Sequence, residues 1–144
     1  MTKVGLDVGQ ARIGLAVSQG ELVLPIESFN NTEEGLAQLI DELRFRSPEV
    51  IYVGLPLNLR GESTQSTKNA IDFARILVES GFEVRLVDER LTTKTAQAKI
   101  HAAGKNVKQS RGYIDAQAAA TILEFALSSE SDTYAGKTLE ELDV

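Results

Sequence analysis

The chain has 144 residues, of which 42% are apolar and 25% charged, values of one globular domain rather than of a disordered or fibrous chain. It contains no cysteine, and His101 is its single histidine, so disulfide staples, thiol nucleophiles and multi-histidine zinc sites are excluded. Any metal must be held by oxygen.

Residues 1–84 carry a net charge of -5, residues 85–111 of +5 and residues 112–144 of -6. A basic segment inside an acidic protein is a candidate electrostatic footprint, although charged runs also serve as plain solvated faces. No run of about 18 apolar residues occurs, and MTKVGLDVGQ lacks the basic-then-apolar order of a secretory signal, so a cytoplasmic protein with no membrane partner is expected.

In chain order, Lys3 to Val8 and Arg12 to Ser18 are β-leaning arms separated by Gly9-Gln10-Ala11, and Leu22 to Ser28 makes a third arm of an antiparallel meander. Pro25 removes a ladder donor, which places this third strand at an edge. Thr32 reads as an N-cap, with Glu33 and Glu34 in the first turn of a helix. Leu36, Leu39, Ile40 and Leu43 form its apolar stripe, and it should stop near Ser47-Pro48.

Val50 to Leu55 is a buried strand, and residues 56–65 form a polar loop. Ala70, Phe73, Ala74, Leu77 and Val78 trace a second helical stripe that ends at Gly81, and Phe82 to Val87 is the fifth strand. Thr92 or Thr93 can cap a third helix running to about Gly104, and alanine-rich Tyr113 to Leu127 forms a fourth. The order βββαβαβαα describes an α/β domain in which two crossovers add parallel strands to the meander. Residues 1–128 should form this one domain, followed by an acidic, flexible tail over residues 129–144.

Asp7 lies inside an otherwise apolar strand, where an ionised carboxylate is costly unless a cation or several donors face it. Asp88 and Glu89 end the fifth strand, where α/β sheets commonly hold ligands. An isolated D-E-R reads more readily as a surface cluster in which Arg90 neutralises the acids. Asp115 opens the last helix, a place where an acid is also favourable on local grounds alone.

Taken together, the three acid positions can converge on one sheet edge, and carboxylates holding two hard divalent cations can hydrolyse a phosphodiester without cysteine or histidine. Between them lies GLPLNLRG, Gly54 to Gly61, which lacks the P-loop pattern; its Asn58 and Arg60 can donate to phosphate or base. Arg12, Arg60, Lys68 and the basic segment, with Arg90, Lys94, Lys99, Lys105, Lys108 and Arg111, supply a candidate phosphate-binding rim.

The stretches GLDVGQARIGLAVS, VGLPLNLRGEST, DERLTT and IDAQAAATILE resemble, in order, the signatures of the YqgF/RuvX group of pre-16S ribosomal RNA nucleases, also described as Holliday junction resolvases. The resemblance covers nearly all of residues 3–127. It implies an RNase H-like mixed five-stranded sheet flanked by helices, three strands antiparallel and two parallel. It also implies catalytic, metal-binding carboxylates at Asp7, Glu89 and Asp115, with Asp88 less favoured, and Mg2+ or Mn2+ as cofactor.

Arg12, Asn58, Arg90 and Thr93 become substrate or structural contacts by the same resemblance. Gln10-Ala11 and Arg60 depart from the group's usual residues without touching the acids.

The expected function is metal-dependent hydrolysis of phosphodiester bonds at the 5' end of precursor 16S ribosomal RNA, by a monomer or weak homodimer acting on structured RNA. The alternative is resolution of branched DNA, which requires a symmetric dimer. A non-catalytic nucleic-acid-binding factor and an actin-like ATPase are further alternatives. The ATPase would bind nucleotide between two such domains, where this chain supplies one.

Overall fold

Antiparallel pairing of β1 (Lys3–Val8) with β2 (Arg12–Gln19), and of β2 with β3 (Leu22–Asn30), builds the expected meander. The register shifts between Leu15 and Ala16, opposite Glu27 and Pro25, so the proline sits at an irregularity on an outer strand. The computed structural model describes residues 1–91 and 111–142. The helix expected from Thr92 or Thr93 to Gly104 lies outside them.

Helix α1 (Glu33–Arg46) starts at Thr32, whose Oγ1 accepts the Gly35 N–H at 3.0 Å, and ends at Ser47 in the left-handed region, just before Pro48. β4 (Val50–Leu55) then pairs parallel to β1. Helix α2 (Gln65–Glu79) starts from a capping box between Thr64 and Thr67. It ends with Gly81 at a φ of 96° and the Phe82 N–H donating to the Leu77 carbonyl at 3.1 Å.

That cap draws Phe82 into the helix terminus, so β5 spans Val84–Asp88 instead of starting at Phe82. Val78 also departs from the expected stripe: it is exposed, while Ala70, Phe73, Ala74 and Leu77 are buried. The strand order is β3-β2-β1-β4-β5, with β4 and β5 parallel.

Side-chain alternation divides the core into two layers. Val4, Leu6, Ile13, Leu15, Ile51 and Val53 meet Leu39 and Leu43 of α1 and Phe73 and Leu77 of α2. On the opposite face, Ala16, Val50 and Tyr52 meet Ala119, Ile122, Leu123 and Ala126 of α3, the terminal helix Arg111–Ser129. Small residues bring α3 close: a Cβ on Gly5 would stand 2.6 Å from the Ala119 carbonyl oxygen, and one on Gly14 would stand 2.0 Å from that of Asp115. Among the described residues no helix is long and apolar enough to cross a membrane.

The chain beyond α3 is not the loose tail expected from its composition. Lys3 Nζ donates to Glu130 at 2.7 Å, the Tyr52 hydroxyl donates to the same carboxylate, and the Ala135 N–H donates to Tyr52 Oη at 3.1 Å. Ala135 is buried, and Lys137 exchanges two backbone bonds with Leu86 at 2.7 and 2.9 Å. Its few apolar side chains are docked by a polar anchor.

Replacing Tyr52 by Phe keeps the ring and deletes the hydroxyl that joins Glu130 to Ala135. The expected loss is about 1–3 kcal/mol, because a buried N–H loses its acceptor, with faster proteolysis after Ser129. An unchanged urea midpoint and proteolysis pattern would show that the anchor contributes nothing.

Candidate active site

β1, β4 and β5 run parallel, so their carboxyl ends share one edge of the sheet. Asp7 occupies the edge end of β1, on the face covered by α3, and pairs with Gly14 of β2. On its other side the next position on β4 is Gly54, one step beyond the Leu6–Val53 pair. Asp7 therefore lies between two residues without side chains, and each vacancy is used.

Over Gly14 passes the backbone of Asp115, and over Gly54 lies the side chain of Glu89. A Cβ on Gly54 would stand 2.7 Å from both Cγ and Cδ of Glu89 and 2.6 Å from Ile122 Cδ1. Glu89 begins a 3-10 turn directly after β5. The turn sends successive acids in different directions: Glu89 reaches Asp7 with a side-chain hydrogen bond, whereas Asp88 is paired with Arg90. Arg90 Nε is 3.0 Å and Nη2 2.6 Å from Asp88 Oδ2. The charge-cluster reading of D-E-R thus holds for Asp88 and Arg90, and Glu89 escapes it.

Two neighbouring carboxyl groups in a partly buried site cannot both ionise cheaply. Burial pushes the Glu89 carboxyl up to about 9, reinforced by the charge of Asp7, by the hydrogen bond to Asp7 and by the charge of Asp88. Burial also raises Asp7; the bond from Glu89 opposes that rise, and the charge of Asp115 adds to it. Both shifts favour a pair that shares one proton through the Glu89–Asp7 hydrogen bond. Conversely, the Arg90 hydrogen bond lowers Asp88.

Asp115 stands near enough to influence Asp7, but its Oδ2 accepts from Arg12 Nε at 2.6 Å. Among the described residues no group of three His, Cys, Asp or Glu side chains gathers closely enough to hold a metal ion. Two carboxyls meet, and the third lies beside them under an arginine. The pair that meets has the donor chemistry of a hard-cation site, since a divalent ion can replace the shared proton and relieve the repulsion.

The other candidates divide sharply. Arg12 is half-buried against Asp115, while Arg60 and Lys68 are exposed on the β4–α2 side of the edge. Asn58 uses its side-chain oxygen to accept the N–H groups of Arg60 and Glu62, both at 2.9 Å, so it shapes the loop. Arg85, counted with the basic segment, lies at the opposite end of β5, paired with Glu83 and 5.4 Å from the Tyr134 ring. Thr93, Lys94, Lys99, His101, Lys105 and Lys108 fall outside the described residues, as does the Arg111 side chain. The parts that sequence reading missed are the Gly14 and Gly54 vacancies and the Arg12–Asp115 pair, which joins residues 103 positions apart.

A mixed sheet in this strand order, with acids collected at its carboxyl edge beside a terminal helix, is the architecture of the RNase H-like nucleases. The chain belongs to the RuvX family, described as "Holliday junction resolvase", whose model matches residues 1–129. It is 39% identical over 127 residues to a "Putative pre-16S rRNA nuclease" of Tropheryma whipplei (strain Twist), covering 88% of this chain and 86% of that one. A protein of the same description from Leifsonia xyli is 41% identical over 139 residues, covering 91% and 88%. Among solved structures, T. thermophilus RuvC in complex with Holliday junction substrate aligns with a TM-score of 0.58 at 18% identity, over 91% of this chain and 98% of that one. That likeness is one of fold.

Two outcomes follow from the paired acids. In chelator-treated protein the folded state retains the Glu89 proton up to about 9, whereas the unfolded chain releases it near 4.5. The folded state therefore binds more protons through that interval, and stability should fall as pH rises across it. Glu89→Gln should flatten the fall, and identical slopes for both proteins would contradict the assignment. Gly54→Ala should cost about 1–3 kcal/mol through overpacking and displace Glu89, lowering activity more than the modest loss of stability explains. Full activity in a folded Gly54→Ala protein would show that Glu89 needs no such vacancy.

Proposed function

We propose that this chain is a divalent-metal-dependent nuclease that hydrolyses phosphodiester bonds in structured RNA, with the 5' end of precursor 16S ribosomal RNA as its substrate. The observation that carries the reading is the Asp7–Glu89 carboxyl pair, half-buried at the carboxyl edge beside Asp115. The names of the curated relatives favour precursor rRNA over branched DNA.

Asp7 and Glu89 would hold a divalent ion, Mg2+ or Mn2+, which supplies an acidified water and offsets charge on the leaving oxygen. Arg12 holds the Asp115 carboxylate beside the pair. One of its five N–H donors serves that bond, leaving others for a phosphate oxygen. Exposed Arg60 provides a further cation at the same edge, as do Lys94, Lys105, Lys108 and Arg111 if the basic segment lies along the substrate. The protein works in the cytoplasm, as a monomer or weak homodimer.

The test is cleavage of 5'-extended 16S precursor RNA, compared with a four-way DNA junction, in Mg2+, in Mn2+ and in chelator. Metal-dependent cleavage of the RNA is expected. Asp7→Asn should reduce it by more than the roughly 10- to 100-fold that loss of an outer-shell partner costs a metal site. Preferential cutting of the junction would transfer the activity to the resolvase reading. Cleavage that survives chelator or Asp7→Asn would remove the assignment.

A further inference from the structure

Leaving β4, residues 56–63 turn back on themselves instead of running as an open loop. Leu57 and Ser63 form an antiparallel bridge, the Asn58 N–H donates to the Glu62 carbonyl at 3.0 Å, and the Gly61 N–H donates to the Asn58 carbonyl at 2.9 Å. Asn58 Oδ1 closes the tip through its two accepted N–H bonds. The stem is tied to α2, where Thr67 Oγ1 donates to the Pro56 carbonyl and accepts the Thr64 N–H at 2.8 Å.

Gly61 has a φ of 78°, and a Cβ there would stand 3.1 Å from Arg90 Nη1. Arg90, itself gripped by Asp88, thus packs beneath the hairpin as a strut. The strut's root is the residue next to Glu89.

At the tip of this fixed hairpin Leu59 is 96% exposed, and Arg60 beside it is also exposed. Single exposed apolar residues are ordinary; Phe45 on α1 is 86% exposed with no such setting. Leu59 differs in being carried by a hairpin held by its own hydrogen bonds, so contact costs little ordering entropy. It also stands on the edge that bears Asp7 and Glu89, with a cation adjoining. A rigid apolar tip beside a phosphate-binding charge is the chemistry of a wedge that separates stacked bases.

We propose that Leu59 is a substrate-contacting finger that packs against an unstacked base where single strand meets duplex, with Arg60 on the neighbouring phosphate. The substrate class rests on the nuclease reading; the finger itself rests on the hairpin.

The probe is an RNA stem with a single-stranded extension, carrying 2-aminopurine at the junction, titrated with the Asp7→Asn chain so that it binds without being cut. Binding should raise the fluorescence. Adding Leu59→Ala should abolish the rise and weaken binding about 5- to 30-fold, with the melting temperature unchanged, while Leu59→Phe restores both. Arg60→Ala should instead reduce the salt dependence of binding, and Phe45→Ala should alter nothing.

If Leu59→Ala behaves like Phe45→Ala, the finger is refuted, even where the unmutated chain cuts RNA normally. A Leu59-dependent fluorescence change, together with no nuclease activity in the unmutated chain, would refute the nuclease reading and leave the finger standing. Absence of nucleic-acid binding by every form, or Leu59-dependent capture of a protein alone, would overturn the finger.

Discussion

Repulsion between the carboxyl groups of Asp7 and Glu89 is the constraint to which the rest of the molecule is adjusted. Holding two acids side by side away from water is unfavourable, and only a backbone that leaves them no alternative can do it. Glycines on either side of Asp7 leave room, one for the helix carrying Asp115 and the other for the Glu89 side chain. Arg90 takes up Asp88, and Arg12 takes up Asp115, so two of the four neighbouring acids are neutralised locally. The remaining pair is left with a proton, which a cation can replace.

The same arrangement explains why the fold uses small residues where α3 crosses the sheet. The helix must come near enough to β1 and β2 for Asp115 to be felt by Asp7, and its alanines and the glycines beneath allow that approach. Packing and chemistry are set by one distance, so a side chain added at Gly14 would disturb both. The apolar layer under α1 and α2 carries no such restriction and is filled by larger side chains.

Much of this was legible in the residues. Alternation gave the strands, Pro25 an outer position, Thr32 a helix start, and the acids Asp7, Glu89 and Asp115 a common edge. What escaped had no periodic signal. Phe82 reads as strand because it is apolar, but the helix-closing bond to Leu77 claims it. Spacing and charge do not separate Asp88 from Glu89; the family resemblance favours Glu89, and the 3-10 turn supplies the physical reason by sending one to Arg90 and the other to Asp7. The docked segment after Ser129 was missed because the Tyr52 hydroxyl, Glu130 and the Leu86–Lys137 backbone bonds fasten it, while its scattered apolar contacts, Tyr134, Ala135, Leu139 and Leu142, form no periodic stripe.

That docked segment also changes what the outside of the sheet offers to other chains. Leu86 points its N–H and carbonyl away from β4, and Lys137 satisfies both. At the far margin β3 carries Pro25 and an irregular register, which spoil a regular ladder. Both margins are therefore poor templates for an incoming strand. At the β5 margin, residues 130–142, whose own composition suggested they had nothing to hold, occupy the place that an incoming strand would need.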